Sequence, residues 1–200
     1  MGTMVRSIAV SWIAGAMSFA ETITVQVHNV AGAPAAVIAK AEQGASFVFR
    51  GAGISVRWAD CRAVDLGRGG NQICVKPDDP YTFMVVIGGR FAKSPLKNTA
   101  LGFALPLSGT RNHAEIFYPR LKEVTHSNPG RVDDGGLLGA VLVHEIAHLL
   151  FGSTSHGPGI MRADWTSEEF KRIGQRQFLF TPEQAEALRT GLRSIRRWRP

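Results

Sequence analysis

Cysteine is almost missing from this sequence: Cys61 and Cys74 are the two in 200 residues. That scarcity excludes a disulfide-dense scaffold, and the lack of any Cys-x-x-Cys pair argues against a cysteine-built metal site. Beyond the first twenty residues no uncharged apolar run is long enough to span a bilayer, so no membrane crossing is expected in the remainder. Internal repeats and low-complexity tracts are absent, which argues against solenoid and fibrous architectures. Acidic residues are in deficit, 16 against 23 basic, for a net charge of +7. The excess gathers at the end, in Arg189, Arg193, Arg196, Arg197 and Arg199. Beyond the single Trp198, no aromatic residues interleave these arginines as a stripe, so a nucleic-acid partner is not expected.

What remains is the composition of a soluble globular protein, 44% hydrophobic and 20% charged. The first twenty residues differ. Arg6 precedes an uncharged apolar run from Ile8 to Ala20, and Ser18 and Ala20 are small residues at the spacing of a signal-peptidase site. Residues 1–20 read as a signal peptide, which makes the protein exported, periplasmic or secreted. Residues 21–200 are then a single domain, long enough to bury a real core. In an exported chain, Cys61 and Cys74 are expected to pair and close a modest loop, a link worth roughly 3 kcal/mol in the chain-entropy picture.

Periodicity places the elements. Thr22 to His28 alternates as a strand. Pro34 to Arg50 has a helical apolar face, and Gly51 and Gly53 end it. Ile54–Trp58 and Tyr81–Ile87 read as strands, the second apolar enough to be central. Leu101–Leu105 is a possible short strand, and His113–Tyr118 a better one, ended by Pro119. Ser127–Gly130 marks a turn, and His126, Asp133 and Asp134 read as surface loop residues. Thr181 and Pro182 open a C-terminal helix, whose basic far end suits the helix dipole. The expected fold is α/β of the α+β kind: a mixed N-terminal sheet with a packed helix, a central motif helix and a small helical C-terminal part.

That central helix carries the chemistry. Val141–Gly152 contains His144, Glu145 and His148 in a run with no proline and no other charge. Residues four apart lie one turn apart on one helical face, so His144 and His148 can offer two imidazoles to one ion. Glu145 lies one residue round, within reach of a water on that ion without being a ligand. Two neutral nitrogens and a nearby carboxylate are what a zinc hydrolase needs. Burying such groups in an apolar run costs several kcal/mol unless something such as a metal compensates.

Gly152 is a good left-handed helix stop. After it come His156 and Met161. The stretch resembles the metzincin pattern of His-Glu-x-x-His-x-x-Gly-x-x-His followed by a methionine-containing turn, with a loop two residues longer. The resemblance implies a zincin-like fold and a zinc-dependent endopeptidase acting on a peptide or protein. It makes His144, His148 and His156 the Zn²⁺ ligands, Glu145 the general base and Met161 the residue of the turn beneath the metal. It also makes His113, Ala114, Glu115, Ile116, Phe117 and Tyr118 an edge strand that pairs with extended substrate. A gluzincin-like alternative takes its third ligand from Glu168 or Glu169, although Thr166 or Ser167 looks like an N-cap and acidic residues suit a first helical turn. A further alternative is a zinc-bound module that does not cut peptides, against which an intact Glu145 argues.

Overall fold

The computed structural model describes residues 21–61, 74, 80–89, 99–106 and 112–197. Residues 1–20, read above as a signal peptide, lie outside this set, as do Arg199 and the side chains of Arg196 and Arg197. In chain order the elements are β1 (Glu21–Asn29), α1 (Ala35–Gly51), β2 (Ile54–Cys61), β3 (Thr82–Gly88), β4 (Gly102–Pro106), β5 (Asn112–Phe117), α2 (Tyr118–Ser127), α3 (Asp134–Phe151), α4 (Ser167–Gly174) and α5 (Pro182–Arg197). A 3-10 turn, Gly159–Met161, lies between α3 and α4.

The strands form one mixed sheet in the order β2-β1-β3-β5-β4. The β1–β2, β1–β3 and β3–β5 pairs are parallel, and β4 runs antiparallel to β5. Strand alternation sends Ile23, Val25 and Val27 to one face together with Val85, Ile87, Ala114 and Ile116, all at most 1% exposed. β3 is central, as its continuous apolar character implies. Cys61, at the end of β2, is disulfide-bonded to Cys74.

α1 opens after Pro34 and buries Ile38, Ala41, Ala45 and Phe49. These are spaced as one helical stripe. α1 packs closely on α3: a Cβ on Gly139 would stand 2.7 Å from the Ala41 carbonyl oxygen. α3 is buried without a break from Leu137 to Leu150. By length and composition it could cross a membrane, yet 83% of it is buried inside the protein, as befits a core helix.

Three sequence expectations need correction. β5 is not an edge strand, because β3 and β4 occupy its two sides. Among the described residues the sheet ends instead on β4 on this side and on β2 on the other. Tyr118 does not belong to the strand. It begins α2, with Pro119 in the first turn, where the missing N–H costs nothing. His126 therefore lies on a helix, exposed in its last turn, and Asp133 is the N-cap of α3.

Candidate metal centre

α3 is held at both ends. Asp133 accepts the Gly136 N–H at 2.9 Å and pairs with Lys40 on α1 at 2.5 Å. At the other end Gly152 takes φ 63° and ψ 25°, a left-handed conformation that a side chain would disfavour. The chain turns back there, and the Ser153 N–H reaches the His148 carbonyl at 3.2 Å.

The reversal brings three imidazoles together. One ring nitrogen each from His144, His148 and His156 lies within 4.8 Å of the others, a set that can hold a metal ion. The Nδ1 of His144 sits 2.8 Å from the Ile160 carbonyl, and that of His148 2.9 Å from the Ser153 carbonyl. A carbonyl can only accept, so both Nδ1 atoms carry the proton. Both Nε2 atoms then present lone pairs, and they face each other at 3.0 Å. Two lone pairs cannot bond to each other, so this arrangement calls for a cation between them. On a tetrahedral zinc, two nitrogens at ordinary bond lengths lie about 3.3 Å apart, close to the observed separation. A proton is a poor substitute. Burial, against the pull of the Ile160 carbonyl, pushes His144 down to about 4, and burial likewise lowers His148. The donor set therefore fits a small divalent ion that accepts neutral nitrogens.

His156 is exposed and sits on the loop that follows Gly152. Its ring stacks on His144 at a centroid distance of 5.3 Å and meets His148 edge-on at 5.0 Å. Glu145 is 5% exposed, and burial pushes its carboxyl up to about 8. It lies against the start of β4: a Cβ on Gly102 would be 3.0 Å from Glu145 Oε1. The edge strand β4 thus passes directly beside this carboxyl group.

Met161 is buried in the 3-10 turn, next to the Ile160 whose carbonyl orients His144. Glu168 and Glu169 stand apart from the histidine cluster. Glu169 is committed to its own helix, where Oε2 accepts from both the amide and the hydroxyl of Thr166, a reciprocal capping box. Those bonds hold its carboxylate below the usual range. Tyr118 is also away from the site. Its hydroxyl bonds Asp134, ten residues before His144 along α3, a rise of about 15 Å. Of the segment His113–Phe117, Ala114 and Ile116 serve the core, and the half-buried His113 pairs in register with Met84 and Leu105.

Sequence reasoning missed Trp165, whose ring meets that of His144 edge-on at 5.6 Å, and the two backbone carbonyls that fix the tautomers. A carbonyl belongs to every residue, so no residue type announces it. The Trp165 contact depends on how the chain returns after Met161, which no local pattern encodes.

No family model matches the chain, and no curated protein matches it. Solved structures do, among them two that cover most of this chain. One is a zinc-dependent peptidase from Methanocorpusculum labreanum, with TM-score 0.56 and 17% identity, over 82% of this chain and 99% of that one. The other is archaemetzincin from Methanopyrus kandleri, with TM-score 0.57 and 16% identity, over 86% of this chain and 96% of that one. This chain shares their fold. Identity this low shows the fold and no more, so the chemistry has to come from the residues present: a cluster of three histidines at the end of a buried helix, with a buried carboxyl group beside it.

Proposed function

We propose that this protein is a zinc-dependent endopeptidase, with His144, His148 and His156 as ligands and Glu145 as general base. The observation that carries the reading is the pair of Nε2 lone pairs facing each other at 3.0 Å, closed by His156, with a buried carboxyl on the next residue. The zinc-dependent peptidase and the archaemetzincin of the same fold add support.

Zinc bound there supplies Lewis acidity toward a scissile carbonyl and makes water a nucleophile near neutral pH. Each residue of the chain has its part. The Ile160 and Ser153 carbonyls keep His144 and His148 in the tautomer whose Nε2 offers a lone pair. Glu145 takes the proton from the attacking water and delivers it to the departing amine. Its burial raises its affinity for a proton, which suits a group that must hold one between those two events. Met161 is buried within the same turn that supplies the Ile160 carbonyl.

Substrate binding falls to β4. Among the described residues it is an edge strand, with a backbone edge to offer an extended peptide, and it runs beside Glu145. This role replaces the one expected of His113–Tyr118. The Cys61–Cys74 disulfide supports an exported protein.

The test is Glu145→Gln, which keeps the shape and removes the base. Zinc content should be retained while peptide turnover falls by about a hundred-fold or more. Full activity in that variant would refute the mechanism.

A further inference from the structure

The loop that carries His156 poses a positioning problem. His144 and His148 have their rings aimed by backbone carbonyls. Among the described residues none forms a hydrogen bond with the His156 ring, which is exposed. Its place is therefore set by the backbone on either side. The N-terminal side is tied to α3 through Ser153. On the other side the Gly157 N–H donates to the Met161 carbonyl at 2.8 Å, and two further ties go to a distant part of the chain. The Ile160 N–H donates to the Leu179 carbonyl at 3.1 Å, and Gln184 Nε2 donates to the Pro158 carbonyl at 2.8 Å, across 26 residues of sequence.

Gln184 holds two roles at once. It is the third residue of the capping box that opens α5: its Oε1 accepts the Thr181 N–H at 2.9 Å, and Thr181 Oγ1 accepts the Gln184 N–H at 3.3 Å. Because Thr181 N–H can only donate, the amide oxygen must face it, and the amide nitrogen is left facing Pro158. A capping box accepts Glu as readily as Gln. The bond to Pro158 does not, since a carboxylate has no N–H to give. The choice of Gln over Glu at 184 is thus explained by the loop and not by the helix. A would-be Cβ on Gly159, at φ 61°, comes within 2.7 Å of the Leu179 carbonyl oxygen, so the loop sits directly on this segment.

We infer that Gln184 is a positioning residue for the metal centre, which uses the cap of α5 to clamp the Pro158 end of the loop and so fix His156 over His144 and His148. This rests on the proposed role of His156 as third ligand. Residues that orient metal ligands typically change metal affinity by about 10–100-fold when removed.

The experiment measures zinc affinity by chelator competition, and the melting temperature of the metal-free protein, for Gln184→Glu in the wild-type and His156→Ala backgrounds. Thr181→Ala, which weakens the same cap without touching Pro158, is the control. Gln184→Glu should weaken zinc binding about tenfold or more with the metal-free melting temperature unmoved. The effect should vanish in the His156→Ala background. Thr181→Ala should lower the melting temperature and leave zinc affinity alone. Unchanged affinity in Gln184→Glu would overturn the inference. So would an equal loss in the His156→Ala background, or an equal loss in Thr181→Ala. His156→Ala alone tests the underlying reading: wild-type affinity there would remove His156 from the ligand set and the clamp with it.

Discussion

Gly102 is the residue that lets Glu145 and the edge strand lie side by side. A Cβ there would stand 3.0 Å from Glu145 Oε1 and 2.7 Å from the Glu115 carbonyl oxygen. Gly102→Ala should displace the carboxyl and lower turnover by tenfold or more, since a shift of about 1 Å in a reacting group can cost about a hundred-fold. Zinc content should not change, and its loss would place the damage in the ligands instead. A second residue, Glu42 on α1, governs stability and not catalysis. Burial, then the nearby Asp60 charge and its hydrogen bond, push Glu42 from 4.5 up to about 7. The folded state thus holds a proton that the unfolded chain releases near 4.5. This contribution is complete below that pH and is lost as the pH rises through about 7. Glu42→Gln stays neutral throughout. Its melting temperature should therefore gain on the wild type between about pH 5 and pH 8, and parallel profiles would count against the assignment. At this scale the site was partly legible. His144, Glu145 and His148 stand within one helical turn, and a local spacing needs no knowledge of the fold. The carbonyls of Ile160 and Ser153, the ring of Trp165 and the amide of Gln184 arrive through backbone paths that the spacing does not encode.

Among the elements, α3 and its neighbours show what a pattern can and cannot carry. The stop at Gly152 and the cap at Thr166 were readable because each depends on one residue type with one conformational preference. Which strand closes the sheet was not. β4 spans five residues and ends in proline, and among the described residues it pairs with a strand that follows it, so neither its alternation nor its position in sequence marks it as the edge. α2 was missed for a related reason: Pro119 serves equally as the end of a strand and the start of a helix. Two expectations belong here. Gly139→Val should destabilise the protein by about 1–3 kcal/mol in denaturant unfolding, because its Cβ has no room against the α1 backbone. Glu169→Ala should cost about 1 kcal/mol through loss of the α4 cap, with zinc content unchanged. Zinc lost from that variant would revive Glu169 as a ligand.

For the whole molecule, the α/β architecture followed from the alternation of strand and helix periodicity. The sheet order did not, because pairing is decided between segments far apart in sequence. The two matched structures keep this fold at 17% and 16% identity. The loop after Gly152 is tied at its far end by hydrogen bonds to Leu179 and Gln184. The central claim is a zinc site made of three histidines. Elemental analysis of the purified wild type and of His156→Ala, side by side, tests it most directly. The account expects near-stoichiometric zinc in the wild type and its loss in the variant. A wild type that binds no zinc, with its histidines intact, would contradict it.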